Sequence, residues 1–184
     1  MSYYVILDAT VIGLVVSLTL IFARIASLIR QPPYIALPAP AVLAALDALD
    51  LKDNDVLADL GCGNAQVLLA AHRRRPQATC LGFEIGLWPL VEARIRWIMA
   101  LRPRNVIVSR QDFFQADISK ANKVFLYLFP KTLDRLLPKL ESELPAGAVL
   151  VSVDYQFADK RPERVVDIGP GVRGLGRRLS IYRF

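Results

Sequence analysis

This chain of 184 residues predicts an α/β fold: a mostly parallel seven-stranded sheet with helices on both faces, ending in an antiparallel hairpin. Three observations carry that prediction. From Asp55 onward, short strand-like runs alternate with helix-length runs, the pattern of a parallel sheet covered on two faces. Acids stand at or just past the ends of the first three strand-like runs, as Asp59, Glu84 and Asp112, about one βαβ unit apart. The tail differs, since Arg164 to Ile168 and Leu179 to Phe184 are strand-like and joined by a Gly/Pro-rich turn, Gly169 to Gly176, too short for a helix.

The elements follow in order. Tyr4 to Ala23 is an almost unbroken apolar run of about 20 residues, or roughly 30 Å of helix, which matches the hydrocarbon thickness of a bilayer. Residues 1–30 therefore read as one hydrophobic, membrane-spanning helix, with Asp8 near enough to its end to reach the headgroups. Tyr3 and Tyr4 suit one interface, and Arg24 and Arg30 flank the other, which places residues 31–184 in the cytoplasm. No basic stretch precedes the run, so a cleaved signal peptide is disfavoured. A helix packed on the domain, or used for oligomerisation, is the competing reading. Gln31-Pro32-Pro33 breaks this helix, Tyr34 to Pro40 is an extended connector because Pro38 and Pro40 exclude continued helix, and Ala41 to Leu49 is a short amphipathic helix. Strands are then expected at Asp55 to Ala58, Thr79 to Ile85, Val106 to Ser109, Lys123 to Leu128 and Ala148 to Val153, and helices at Gln66 to Arg74, Leu87 to Ala100 and Thr132 to Leu144.

The chemistry concentrates at strand ends. Asp59-Leu60-Gly61-Cys62-Gly63-Asn64-Ala65 leaves a strand and opens into a helix, so a ligand can approach a turn with little side-chain bulk and meet backbone N–H groups. A dinucleotide loop needs a third glycine where Gln66 stands, which weakens a nicotinamide or flavin reading. Glu84, at the tip of the second strand, can accept both hydrogen bonds of a ribose diol. Two cysteines, Cys62 and Cys80, lack metal-ligand spacing and imply neither zinc nor a disulfide framework. The one histidine, His72, precedes Arg73-Arg74-Arg75 at a helix end, so it is read as surface structure and not as a base.

The loop resembles motif I of the class I S-adenosylmethionine (SAM) methyltransferases, whose fold is a Rossmann-like sandwich ending in an antiparallel hairpin. That resemblance places Asp59, Gly61, Cys62, Gly63, Asn64, Glu84 and Ile85 around SAM, with Asp112 beside the adenine and Phe113 as its apolar wall. A closer resemblance covers most of the chain. Pro33-Tyr34, Val67-Leu68-Leu69-Ala70-Ala71, Gly82-Phe83-Glu84-Ile85 with Trp88, Asp112-Phe113, Tyr127-Leu128-Phe129-Pro130, Lys139-Leu140, Glu143-Leu144, Gly147-Ala148 and the hydrophobic N-terminus look like the membrane-anchored protein-lysine methyltransferases of the mitochondrial ADP/ATP carrier and ATP synthase c-subunit. It adds Tyr34 to the expected cofactor residues. Departures are Gly63-Asn64-Ala65-Gln66 where that family usually has Gly-Asp-Gly-Arg, Leu37 or Ala36 where a polar residue usually follows the Pro-Tyr segment, and Gly86 where an asparagine is common.

Methyl transfer requires a neutral lysine amine, which an apolar or aromatic mouth favours by desolvation. Tyr127 is the expected wall or hydrogen-bond partner of that amine, with Phe129 and Pro130 supplying shape; the competing reading is a buried strand end followed by a helix-starting proline. A hydrophobic content of 54% with 22% charge fits one core, and the mean hydropathy of +0.36 is raised by the N-terminal run. A net charge of +6 and a pI near 9.6 suit either nucleic acid or an anionic leaflet; the arginines lack an aromatic-interleaved motif, so the membrane surface is favoured. The reading is a SAM-dependent protein-lysine N-methyltransferase with a membrane-protein substrate, without nucleic-acid or metal partners. Its alternatives are a methyltransferase of RNA or of a small or lipid-like molecule, and a membrane-tethered SAM-binding module without catalysis.

Overall fold

The structure, a computed structural model, describes residues 10–22, 35–169 and 174–184. A helix, α1, occupies residues 10–22 and is exposed along its length. Then come α2 (Ala39–Leu49), β1 (Val56–Leu60), α3 (Gln66–Arg74), β2 (Thr79–Glu84), α4 (Leu87–Met99), β3 (Val106–Arg110) and β4 (Lys123–Leu126). The series ends with α5 (Pro130–Glu143), β5 (Val149–Val153), β6 (Arg164–Asp167) and β7 (Arg178–Arg183). The sheet order is β3-β2-β1-β4-β5-β7-β6, parallel except that β7 runs antiparallel between β5 and β6. The expected sheet and its closing hairpin are therefore present.

The membrane-spanning reading of residues 1–30 meets a limit. Among the described residues no helix is long and apolar enough to cross a membrane, and the rest of the expected 4–23 run lies outside them. Tyr34 also lies outside the described residues.

Side chains alternate across the strands and build two cores. Leu57, Phe125, Val151 and Ile181 face α2 and α3, where Leu46, Leu49 and Leu68 pack. Ala58, Val124, Leu126, Leu150 and Tyr182 face the other way, against Leu133, Leu136 and Leu140 of α5. At the amino ends of β1 and β4, Asp55 Oδ1 accepts from Asn122 Nδ2 at 2.7 Å, and Asn122 Oδ1 accepts from the Val56 N–H at 2.9 Å. These bonds lock the two strands in register at the end opposite their carboxyl tips.

Boundaries moved where prolines stand. α2 starts at Ala39 with Pro40 in its first turn, and α5 starts at Pro130, two residues ahead of the expected Thr132. Proline lacks only an N–H that the first turn leaves unbonded anyway, so it begins a helix instead of blocking it. β4 stops at Leu126, two residues short of the expected Leu128, which frees residues 127–129 from the ladder. His72 is half-buried at the end of α3 rather than on the surface.

Gly82 in β2 is a steric constraint. A Cβ there would stand 2.5 Å from Leu68 Cδ1 and 2.7 Å from Cys62 Sγ, both on buried side chains. Gly82→Ala is expected to cost about 1–3 kcal/mol by overpacking. Equilibrium urea unfolding measures it, and adding Cys62→Ala should recover part of the loss.

Candidate functional site

The chain leaves β1 for α3 on one face of the sheet and leaves β4 for α5 on the other, so the strand order reverses between β1 and β4. Open α/β sheets hold their ligands beyond the carboxyl ends of strands at such a point. A cleft of about 510 Å³ lies there, within the roughly 300–1,000 Å³ typical of small-molecule sites.

The loop after β1 forms the floor. Gly61 turns at φ 85° and Gly63 at φ 53°, and a Cβ on Gly61 would stand 3.2 Å from Leu128 Cδ2. Glycine thus supplies the turn and keeps the floor open. Ala65, at φ 61°, holds a left-handed conformation just before α3, so the loop keeps a glycine-like path where glycine is missing. The N–H groups of Gly61 and Cys62 donate to the Phe83 carbonyl at 2.9 and 3.1 Å.

Glu84 ties the same loop to β2. Its Oε2 accepts from the Gly63 N–H at 3.0 Å, and its Oε1 accepts from the N–H groups of Ile85 and Gly86 at 2.9 and 2.7 Å. Oε2, with a single backbone donor, keeps a lone pair for a ligand hydroxyl. Asp59 is buried beneath. Burial holds its carboxyl well above the usual carboxylate range, and repulsion from Glu84 adds to this. Burial likewise pushes the Cys62 thiol far up, with Asp59 and Glu84 adding, so this cysteine is inert at neutral pH.

Two aromatic groups form the walls. After β3, Asp112 Oδ1 accepts from the Phe114 N–H at 2.9 Å, a turn that sets the Phe113 and Phe114 rings 4.8 Å apart. After β4, Tyr127, Leu128 and Phe129 enter the cleft, and the Phe129 ring lies 5.9 Å from Tyr155. Burial pushes the Tyr127 phenol up to about 12, helped by Asp154 and Tyr155, so it keeps its proton near neutral pH and can donate. Ile35 and Leu37 cover one side, where Gln66 Nε2 donates to the Leu37 carbonyl at 3.2 Å.

The structure brings Asp59, Gly61, Cys62, Glu84, Ile85, Asp112, Phe113, Tyr127 and Phe129 to one cleft. Gly63 takes part through its N–H. Asn64 is buried outside the lining, its Oδ1 without a hydrogen-bond partner, and Pro130 starts α5 without lining the cleft. Sequence reasoning missed Tyr155, Gln66, Glu92, Thr132 and Arg135. Tyr155 was within reach, because it stands two residues past β5, at a carboxyl end beside the switch point.

The lining is electrically lopsided. Glu84, Glu92 and Asp112 face Arg135 as the lone cation among the described lining residues, in a protein of net charge +6. Such a cleft favours cationic ligands over anionic ones.

Comparison with known proteins follows the same lines. Residues 59–164 match the family described as the ANTKMT methyltransferase domain. A protein-lysine N-methyltransferase of Saccharolobus islandicus is 29% identical over 150 residues, covering 79% of this chain and 90% of its own. The adenine nucleotide translocase lysine N-methyltransferase of Mus musculus is 31% identical over 141 residues, covering 76% of this chain, which spans 60% of the mouse protein. The crystal structure of an RNA methyltransferase from Salinibacter ruber, in complex with S-adenosyl-L-homocysteine, superposes with a TM-score of 0.74 at 32% identity. It covers 81% of this chain and 93% of its own.

Two outcomes are expected. Glu84→Ala should weaken S-adenosyl-L-homocysteine binding by about 10- to 150-fold in calorimetry, the loss of a charge-assisted hydrogen bond worth about 1.5–3 kcal/mol. Asp59 carries a pH signature. A carboxyl with a raised folded pKa binds its proton more tightly when folded, so stability falls as pH rises from about 3.9, the unfolded value, through the folded one. Asp59→Asn should therefore raise the melting temperature above that of the unaltered protein near about pH 8 and lose that advantage toward about pH 4.

Proposed function

Because the chain belongs to the ANTKMT methyltransferase family, we propose that it is a SAM-dependent protein-lysine N-methyltransferase that works at a membrane. The observation that carries the choice of acceptor is the acid-lined cleft with an aromatic mouth. A lysine approaches as a cation and reacts as a neutral amine; carboxylates favour the approach, and apolar walls favour loss of the proton.

The residues present fit the methyl donor. Gly61 leaves open the floor that a Cβ would fill against Leu128 and Phe113, and the backbone-held Glu84 presents Oε2 to a ribose hydroxyl. When bound, SAM supplies a methyl carbon on a sulfonium, which the amine displaces in line: a C–N bond forms, the C–S bond breaks, and sulfur leaves as a neutral thioether. Asp112, Phe113 and Ile85 are proposed to position the adenine. Asp59 lies buried under the floor, and Cys62 packs the loop onto β2 without reacting. Protonated Tyr127 donates or forms a wall at the acceptor end, while Phe129 and Tyr155 exclude water and hold the amine in line.

The membrane setting rests on the apolar Tyr4 to Ala23 run and its flanking Arg24 and Arg30, with the catalytic domain proposed on the cytoplasmic side of a single span. A tethered enzyme meets membrane-protein lysines at high effective concentration. The protein-lysine activities named for the Saccharolobus and mouse relatives support the acceptor class. One observation favours a second reading, RNA methylation, namely the activity named for the Salinibacter structure. Against it, phosphate would meet Glu84, Glu92 and Asp112 at the cleft, and Tyr127 to Pro130 lacks the Asn/Asp-Pro-Pro-aromatic element of base methylation.

Incubation of the protein with methyl-labelled SAM and separated membrane, soluble-protein and RNA fractions is the deciding test. Label in lysines of membrane polypeptides is expected, and label confined to RNA or small molecules overturns the acceptor. Tyr127→Phe should lower kcat/KM for the lysine substrate by about 2- to 10-fold, the worth of one hydrogen bond, with cofactor affinity unchanged.

A further inference from the structure

Helix α4 leaves most of its apolar surface uncovered. Of Leu87–Met99 only Ala93 is fully buried, while Leu87, Val91, Ile95, Ile98 and Met99 are exposed. At about 100° per residue, these five fall within a single stripe roughly 120° wide. The stripe continues past the helix. Leu101 and Arg102 both hold left-handed backbone (φ 63° and 55°), in a turn fixed by the Trp97 Nε1–H donating to the Pro103 carbonyl at 3.1 Å. That turn thrusts Leu101 into solvent at 91% exposure, beside Met99 at 77%.

Cations border the stripe. Arg94 and Arg96 lie on either flank of the helix, and Arg102 and Arg104 follow at its end, all exposed. Arg94 stacks on the Trp97 ring at 4.4 Å. Among the described residues none of the four is in an ion pair with a carboxylate. The one acid of α4, Glu92, lines the cleft.

We propose that the α4 stripe, Leu87 through Leu101, is a docking surface for an anionic phospholipid bilayer, lying in the interface plane beside the mouth of the methyl-transfer cleft. An apolar stripe edged by unpaired arginines matches lipid chains below a layer of negative headgroups. A second copy of the same face would set the four arginines of each chain against those of the other, with Glu92 as the one acid of either α4. Helix α1 presents its own apolar residues, from Val11 to Phe22, to solvent and lays no face on the domain. Trp88 and Pro89 of the first turn of α4, with Ile85 just before the helix, belong to the cleft wall, so seating the stripe turns the mouth toward the membrane surface. The proposal rests on the membrane setting above and not on the identity of the acceptor.

The test uses the full chain with Met99→Cys, labelled with an environment-sensitive fluorophore; Cys62 and Cys80 are buried and stay unlabelled. A Val165→Cys label on β6, at the opposite edge of the sheet, is the control. In vesicles of phosphatidylcholine with phosphatidylglycerol, the label at 99 should shift to the blue and be quenched by brominated acyl chains several-fold more than the label at 165. With phosphatidylcholine alone, or after Arg96→Glu with Arg102→Glu, the difference should shrink. Equal quenching at the two positions overturns the proposal, as does a disulfide between residues 99 of two chains, which assigns the stripe to a dimer. Vesicle pelleting reads the membrane setting separately, and a chain left in the supernatant overturns both. No methyl transfer enters the readout, so failure of the lysine reading leaves this result standing.

Discussion

The loop between β1 and α3 can lie flat on the sheet only because residue 82, on the neighbouring strand, has no side chain. Leu68 and Cys62 fill the space that a Cβ would need. The packing brings the Gly63 N–H within reach of Glu84, which the same carboxylate ties to Ile85 and Gly86. Everything built above that contact depends on it, including the open floor at Gly61, the burial of Asp59 and the direction in which Glu84 Oε2 points. The departure at Ala65 is tolerated for the same reason. A left-handed alanine is costly alone, by about 1–2 kcal/mol, but here its Cβ is fully buried and the chain on either side is already fixed.

Charge is sorted by location. Carboxylates collect in the cleft, where a cationic substrate has to arrive, and arginines collect on α4 and in the loop after it. The two fields have opposite signs on adjoining surfaces, so a net charge of +6 says little about what enters the site. Composition alone would have pointed toward a polyanion. The position of Glu84, Glu92 and Asp112 points elsewhere.

The sheet was legible because strand-like runs alternate with helix-length runs from Asp55 onward and because acids mark the carboxyl ends of β1 and β2 and the turn after β3. Local chemistry also revealed the cofactor loop, since Gly61 and Gly63 act through backbone geometry within one turn and Glu84 stands at the tip of the next strand. The acceptor side was less legible. Tyr155 meets Phe129 only because β5 pairs beside β4, and Arg135 reaches Phe114, 4.8 Å away, across a helix and a loop. Neither contact leaves a periodic trace. The start of α2 was misplaced because Pro38 and Pro40 were read as breakers where a first turn accepts proline, and Pro130 starts α5 as the competing reading had it. The exposure of α4 was hidden as well, since its apolar spacing is that of any helix packed on a sheet.

The insertion of β7 between β5 and β6 sets an order on folding. Strand β6 has a single hydrogen-bonded neighbour, and that neighbour is made after it. Until β7 docks, β5 presents an open edge and β6 has nothing to pair with. A folding chain can therefore pass through an interval in which the cofactor half, β1 to β3, is assembled while the far edge of the sheet stays sticky. Non-local pairing of this kind is slow and invites association with other chains, so β7 works as a late-arriving wedge that ends the period of greatest risk.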